Sequence, residues 1–327
     1  MEPFVFFGGK GGVGKTTVSC AYAHKCATAG VETLVVSTDP AHSVSDVFDQ
    51  AFDDTPQSVD GVDGLSAMEI DPDEEVTAHL EDVRSQLSEQ VSVGMIHEIE
   101  QQLEMAHRTP GAYEAALFDR FVEVMRNHDP YDRVVFDTAP TGATLRLLEL
   151  PAFLEGWIDR LLTKRRKSLD LFEKAAVGDH APSKTMAGDP ILEHLQTRKE
   201  FFEFAGGALQ HDAAFLLVLN PDQLSVNETA RTLDSLRTSD LTVKGLIANK
   251  LTPEPDADED GRGARYLRER VATERDRLDQ VRESLAPPLL AEIAFRSEEV
   301  RGDLLVDVAE ELDLGVGVES PTFVGSE

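Results

Sequence analysis

Short apolar runs bounded by turn residues recur along this 327-residue chain: Phe4–Phe7, Thr33–Val36, Leu65–Ile70, Val134–Phe136, Phe215–Leu219, Leu246–Ala248 and Leu289–Ala294. Helical patterns separate them. Strands that are apolar at consecutive positions must be buried on both faces, and helices between them supply the crossovers of a parallel sheet. The chain is therefore expected to be α/β, with a parallel, doubly wound sheet. Two intervals lack strand signals, from about Asp73 to Asn127 and from about Pro151 to Gly207. Val91, Met95, Ile99 and Leu103 recur there at a helical step, as do Leu117, Phe121 and Met125. Insertions this long predict an α-helical subdomain built from two pieces, 89–126 and 151–204. The sheet domain takes 1–88, 127–150 and 205–316, and 317–327 forms a flexible tail. Glu254–Gly263 reads as an acidic exposed loop, and Arg265–Leu285 as a helix charged on most faces.

Charge narrows the function classes. Asp+Glu number 61 against Lys+Arg 31, a formal net charge of −30. Phosphate neutralisation needs clustered Lys and Arg, so nucleic acid is excluded as a default partner, and adsorption to anionic membranes is disfavoured. With 10 lysines and 21 arginines, the acid-rich, Lys-poor surface suits cytoplasm at molar salt. A halophilic source is the preferred explanation; an ordinary acidic protein is the alternative. The N-terminal MEPFVFFGGK lacks a basic region followed by an apolar one, and no 18-residue apolar run occurs. A cytoplasmic protein without membrane insertion is expected. Cys20 and Cys26 would point about 120° apart on a helix and could not chelate one metal. They read as small buried apolar residues.

The segment Gly9-Lys10-Gly11-Gly12-Val13-Gly14-Lys15-Thr16 fits G-x-x-x-x-G-K-[ST], after an apolar strand and before a helical stretch. Glycines let successive backbone N–H groups turn inward around phosphate oxygens, and the following helix presents its positive end to the same anion. Lys15 supplies a point charge to the β- and γ-phosphates, and the Thr16 hydroxyl ligates Mg²⁺. Lys10 cannot easily fold back onto phosphates that its own loop wraps. It is better placed to reach a nucleotide in a facing subunit, stabilising charge in trans; the alternative is an exposed loop lysine.

GGKGGVGKTT (Gly8–Thr17) resembles the deviant Walker A loop of SIMIBI-class ATPases. STDPAHSVSDVF (Ser37–Phe48) and DTAPTGATLRLLELP (Asp137–Pro151) narrow the resemblance to the arsenical-pump and tail-anchored-protein-targeting ATPases, the ArsA-type family. EVRG (Glu299–Gly302) resembles that family's C-terminal segment. The resemblance implies a single-P-loop, archaeal-like member that binds ATP with Mg²⁺. Nucleotide contacts are implied for Gly9, Lys10, Gly11, Gly12, Val13, Gly14, Lys15, Thr16, Thr17 and Asn249, the last to adenine. Metal contacts are implied for Thr16, Asp39 and Asp137. Asp46 would position the attacking water, with Lys10 and Lys15 as the catalytic cations. Thr141 and Gly142 would sense the γ-phosphate, and His42 would orient its loop. Each acid has a plainer alternative: helix capping for Asp39 and Asp137, a solvated side chain in a mobile polar loop for Asp46. Asn249 could be a simple turn residue. Thr252 stands where the guanine motif N-K-x-D needs Asp, which favours ATP over GTP.

The departures matter as well. The chain lacks the Cys-x-x-Cys pair with which fungal and animal targeting members bind zinc, and the three cysteines of the arsenite-pump members. One P-loop per chain implies a homodimer. Hydrolysis is expected to drive capture and release of hydrophobic helical clients, tail-anchored membrane proteins first, with a membrane receptor as a further partner. Alternatives are an arsenite-efflux (anion-transporting) ATPase subunit and a nucleotide-gated spatial regulator or scaffold. Met95, Ile96, Ile99, Leu103, Met105, Leu117, Phe121 and Met125 in one helical piece are candidates for a client groove or for the subdomain's own core. So are Phe153, Leu154, Trp157, Ile158, Leu161, Leu162, Leu169 and Phe172 in the other. The basic run Lys164–Lys167 is a solvated helix face or a dock for an acidic partner.

Overall fold

A computed structural model describes residues 2–38, 43–71, 112–137 and 190–316, together with 74, 75, 77, 156, 158–164 and 167. Every apolar run picked out above falls on a strand: β1 (Phe4–Gly9), β2 (Thr33–Ser37), β4 (Leu65–Glu69), β5 (Arg133–Asp137), β6 (Ala213–Leu219), β7 (Val243–Leu251) and β8 (Leu289–Ala294). A two-residue strand, β3 (Gln57–Ser58), is added at one edge. The sheet runs β3-β4-β2-β5-β1-β6-β7-β8, with every pair parallel except β3 with β4.

Register brings the aromatic residues together. Phe6 of β1 lies opposite Phe136 of β5 and Phe215 of β6, and its ring stacks on both, at 4.4 and 5.1 Å between centroids. Helix α3 (Ala112–Arg126) closes over this cluster, with Phe121 edge-on to Phe136 at 5.1 Å. Phe7, the next residue of β1, points to the opposite face and meets Tyr22 of α1 (Lys15–Thr28) at 5.6 Å. Two consecutive side chains of one strand thus pack under helices on opposite faces, the doubly wound arrangement expected. Cys20 and Cys26 lie on α1 with 0% exposure, and burial pushes both thiols up.

The chain divides into two compact units, Met1–Leu147 with Asp212–Glu327, and Leu148–His211. Helix α3 belongs to the sheet unit, although the sequence grouped it with the helical pieces. Its Leu117, Phe121 and Met125 stripe is buried because the sheet's aromatic face covers it. Helical periodicity shows that a face must be buried, not what covers it. Residues 89–111 lie outside the described residues. In the second unit, residues 158–164 and α4 (Pro190–His211) are helical, Lys199 pairs with Asp159 at 2.8 Å, and Arg198 lies over Phe201 and Phe202. Ile158, Leu162, Phe202 and Ala205 are buried there; Lys164 and Lys167 are exposed.

The sheet unit also contains α5 (Gln223–Thr238), α6 (Arg262–Ser284) and α7 (Asp303–Glu311). The charged helix α6 buries Val271, Leu278 and Val281 along one face. Its Glu274 accepts hydrogen bonds from the Thr252 amide and hydroxyl, both at 2.8 Å. No helix among the described residues is long and apolar enough to cross a membrane.

Candidate active site

Strand β1 sits between β5 and β6, beside the place where strand order reverses, and open α/β sheets bind ligands beyond the carboxyl ends of strands at such a point. The glycine-rich loop leaves β1 there and enters α1. Gly9 is an obligate glycine: a Cβ would stand 2.3 Å from the Val218 carbonyl oxygen. Gly14, the residue preceding α1, has φ +89°, and a Cβ would stand 2.4 Å from Asn249 Nδ2. The leading N–H groups of a helix have no intrahelical partner. Here Lys15, Thr16 and Thr17 carry them, and all three line a cleft of about 420 Å³.

The other walls come from distant parts of the chain. Ser43, Asp46 and Val47 belong to a short helix, α2 (Ser43–Phe48). Asp46 is therefore exposed on a helix facing the cleft, not in a polar loop as the sequence suggested. Lys250 comes from β7, and Glu299, Val300 and Arg301 from the segment before α7. The EVRG resemblance thus corresponds to a real wall of the site. The Lys15 ammonium donates to the Lys10 carbonyl at 3.3 Å, across the loop.

Asp137 ends β5 at 1% exposure and accepts a long hydrogen bond, 3.5 Å, from Ser37 Oγ. It lies in register with Phe7, at the carboxyl end of the sheet beside the loop. Thr16 and Asp137 offer the hydroxyl and carboxylate oxygens a hard divalent cation prefers. Asp39, His42, Thr141 and Gly142 lie outside the described residues.

Asn249 is buried against the loop: its Nδ2 donates to the Val13 carbonyl at 2.8 Å and its Oδ1 accepts from the Lys250 amide at 2.9 Å. Lys250, in left-handed backbone at φ +62°, donates from Nζ to the Gly12 carbonyl at 2.7 Å. Two consecutive residues of β7 therefore hold two carbonyls of the glycine-rich loop, those of Val13 and Gly12. In the sequence, Lys250 is marked only by its place beside Asn249 at a strand end.

Glu69 is a second residue that motif and spacing do not reveal. It ends β4 at 4% exposure, and its carboxylate accepts from the Val44 and Ser45 amides at 2.9 and 3.0 Å and from Ser45 Oγ at 2.7 Å. A buried anion thus caps the helix carrying Asp46 and ties it to the sheet. The only hint in the sequence was an acid inside the apolar run Leu65–Ile70.

The site can therefore wrap polyphosphate with backbone amides and a lysine, and present a carboxylate to its far end. The sequence model of the anion-transporting ATPase family matches residues 2–313. A putative arsenical pump-driving ATPase 2 of Aquifex aeolicus is 33% identical over 95% of this chain and 99% of its own. An ATPase ASNA1 homolog of Dictyostelium discoideum is 35% identical over 77% of this chain and 74% of its own. A putative arsenical pump-driving ATPase of Halobacterium salinarum is 32% identical over 93% of this chain but only 43% of its own. With the family match running from β1 past α7, and with full-length likeness to a relative named as an ATPase, this chain belongs to the ArsA-type anion-transporting ATPase family and is an ATP hydrolase.

Proposed function

We propose that the chain works as a homodimer that hydrolyses Mg²⁺-bound ATP to capture and release hydrophobic helical clients, tail-anchored membrane proteins in particular. The observation that carries this reading is the sharing of one cleft by the phosphate loop and Asp46, with Asp46 on a short helix anchored at its start by Glu69. Such a helix can move when the γ-phosphate leaves. Lys15 and the leading amides of α1 hold the β- and γ-phosphates; Thr16, Asp39 and Asp137 hold the Mg²⁺; Asp46 orients the attacking water. When bound, the metal neutralises charge on the phosphates. Asn249 has a second Nδ2 hydrogen beyond the one given to Val13, and this suits it to reach adenine.

Arsenite transport is the second reading, because relatives named as arsenical pump-driving ATPases are among the matches. Thiolates are the soft ligands that metalloid chemistry needs. Burial of Cys20 and Cys26, with both thiols pushed up, weighs against it.

The client groove is drawn from fewer residues than the sequence suggested, because Leu117, Phe121 and Met125 are spent on the sheet. Asp46→Asn protein, co-expressed with a model tail-anchored protein, is expected to retain the client. Wild type should release it as ATP is consumed, and deleting the client's apolar anchor should abolish capture. An Asp46→Asn protein that holds ATP but captures no anchor-bearing client refutes targeting and leaves the ATPase.

Lys10 acting in trans requires complementation. Lys10→Ala and Asp46→Asn subunits, each inactive alone, should on mixing recover up to about a quarter of wild-type activity, since half the dimers are mixed and each has one complete site. No recovery with subunit exchange verified assigns Lys10 to its own site.

A further inference from the structure

At the amino end of the sheet, away from the nucleotide cleft, Arg133 opens β5 with only 2% exposure. A buried guanidinium ordinarily has a carboxylate beside it, because an uncompensated charge is expensive to desolvate. Arg133 has none. Its Nη1 donates to the Tyr22 hydroxyl and approaches Cys26 Sγ at 3.8 Å, and its Nε has no hydrogen-bond partner among the described residues. Burial opposes its charge, and the groups beside it are the Tyr22 hydroxyl and the Cys26 thiol. Burial pushes both of their acid groups up, so neither supplies a negative charge near neutral pH.

Arg133 lines a small cavity of about 20 Å³ with Tyr22, Lys244 and Glu2. Lys244 and Glu2 neutralise each other in an ion pair at 2.7 Å. The charged wall therefore holds two cations and one anion, one negative charge short of neutrality. The remaining wall is apolar, Val5, Leu216 and Leu290 among it. About 10–15 Å³ admits one water-sized body, so the space suits a single monatomic ion. Bulky oxyanions, which need several donors, are poorly matched to it.

We propose that this cavity is a halide site, occupied by chloride, with Arg133 as its principal cation. The ion would supply the counter-charge that the folded chain lacks and would link folding to chloride. A chain with net charge −30 repels anions at long range. That repulsion is screened over about 8 Å at physiological ionic strength and about 3 Å at 1 M, so occupancy should rise with salt.

The experiment compares the full chain in potassium chloride, potassium bromide and potassium glutamate at equal ionic strength. All three screen the acidic surface alike, but glutamate is too large for the cavity. Wild type should melt about 2–4 °C higher in either halide, and Arg133→Met should lose that halide-specific increment. Anomalous diffraction from wild-type crystals grown in bromide decides the site even where Arg133→Met fails to fold. A bromide peak beside Arg133 supports the assignment. Water at that position, a protein carboxylate engaging Arg133 there, or bromide only on surface residues as an adventitious ion overturns it.

Discussion

Lys15→Ala and Asp46→Asn are both expected to reduce steady ATP hydrolysis by about 10²–10³-fold or more, and nucleotide binding should separate them. Lys15 lines the phosphate cleft and donates across its own loop, so its loss removes direct attraction to the β- and γ-phosphates. A drop in affinity of about tenfold to a hundredfold corresponds to a loss of about 1.4–2.8 kcal/mol. Asp46 stands on the facing helix, and amidation keeps its shape while removing the carboxylate proposed to orient water. Its affinity should stay within about threefold of wild type, with ATP trapped unhydrolysed. Equilibrium binding of a fluorescent ATP analogue, with single-turnover hydrolysis, measures both quantities. Equal loss of binding in the two variants contradicts the division of labour.

Glu69→Ala should have the second largest effect, although Glu69 does not line the cleft. Removing its carboxylate strips the acceptor from the buried Val44 amide and from the half-buried Ser45 amide and hydroxyl. Each orphaned donor costs about 1–3 kcal/mol, and helix α2 has only six residues with which to resist. Once α2 loosens, Asp46 loses its fixed position. A fall in kcat of about tenfold to a hundredfold is expected, with ATP affinity nearly unchanged, because the loop and α1 are untouched. Glu69→Gln keeps the size and one acceptor oxygen and should recover part of the rate. A mere destabilisation would instead lower the melting temperature and leave kcat per folded molecule as in wild type. Wild-type kcat in folded Glu69→Ala would show that the cap does not position Asp46.

The strands and the phosphate loop were legible in the residues because their causes are local. An apolar run such as Phe4–Phe7 has one way to bury both faces, and Gly9 and Gly14 occupy places where any Cβ would collide. The signal that Leu117, Phe121 and Met125 are buried was equally local, but its destination was not. Register sets Phe6, Phe136 and Phe215 side by side, and only that aromatic face explains why α3 joins the sheet. Glu69 and Ser45 are 24 residues apart, Lys250 and Gly12 238 apart, and Arg133 and Tyr22 111 apart. A cap, a loop clamp and a buried cation of this kind depend on which strand ends the sheet places together. Composition and spacing determined that this chain would wrap a nucleotide phosphate at the end of its first strand. Long-range packing alone decided which carboxylate anchors the helix that carries Asp46 and which arginine is left, among the described residues, without a counter-ion, because both are properties of neighbours that the chain order keeps far apart.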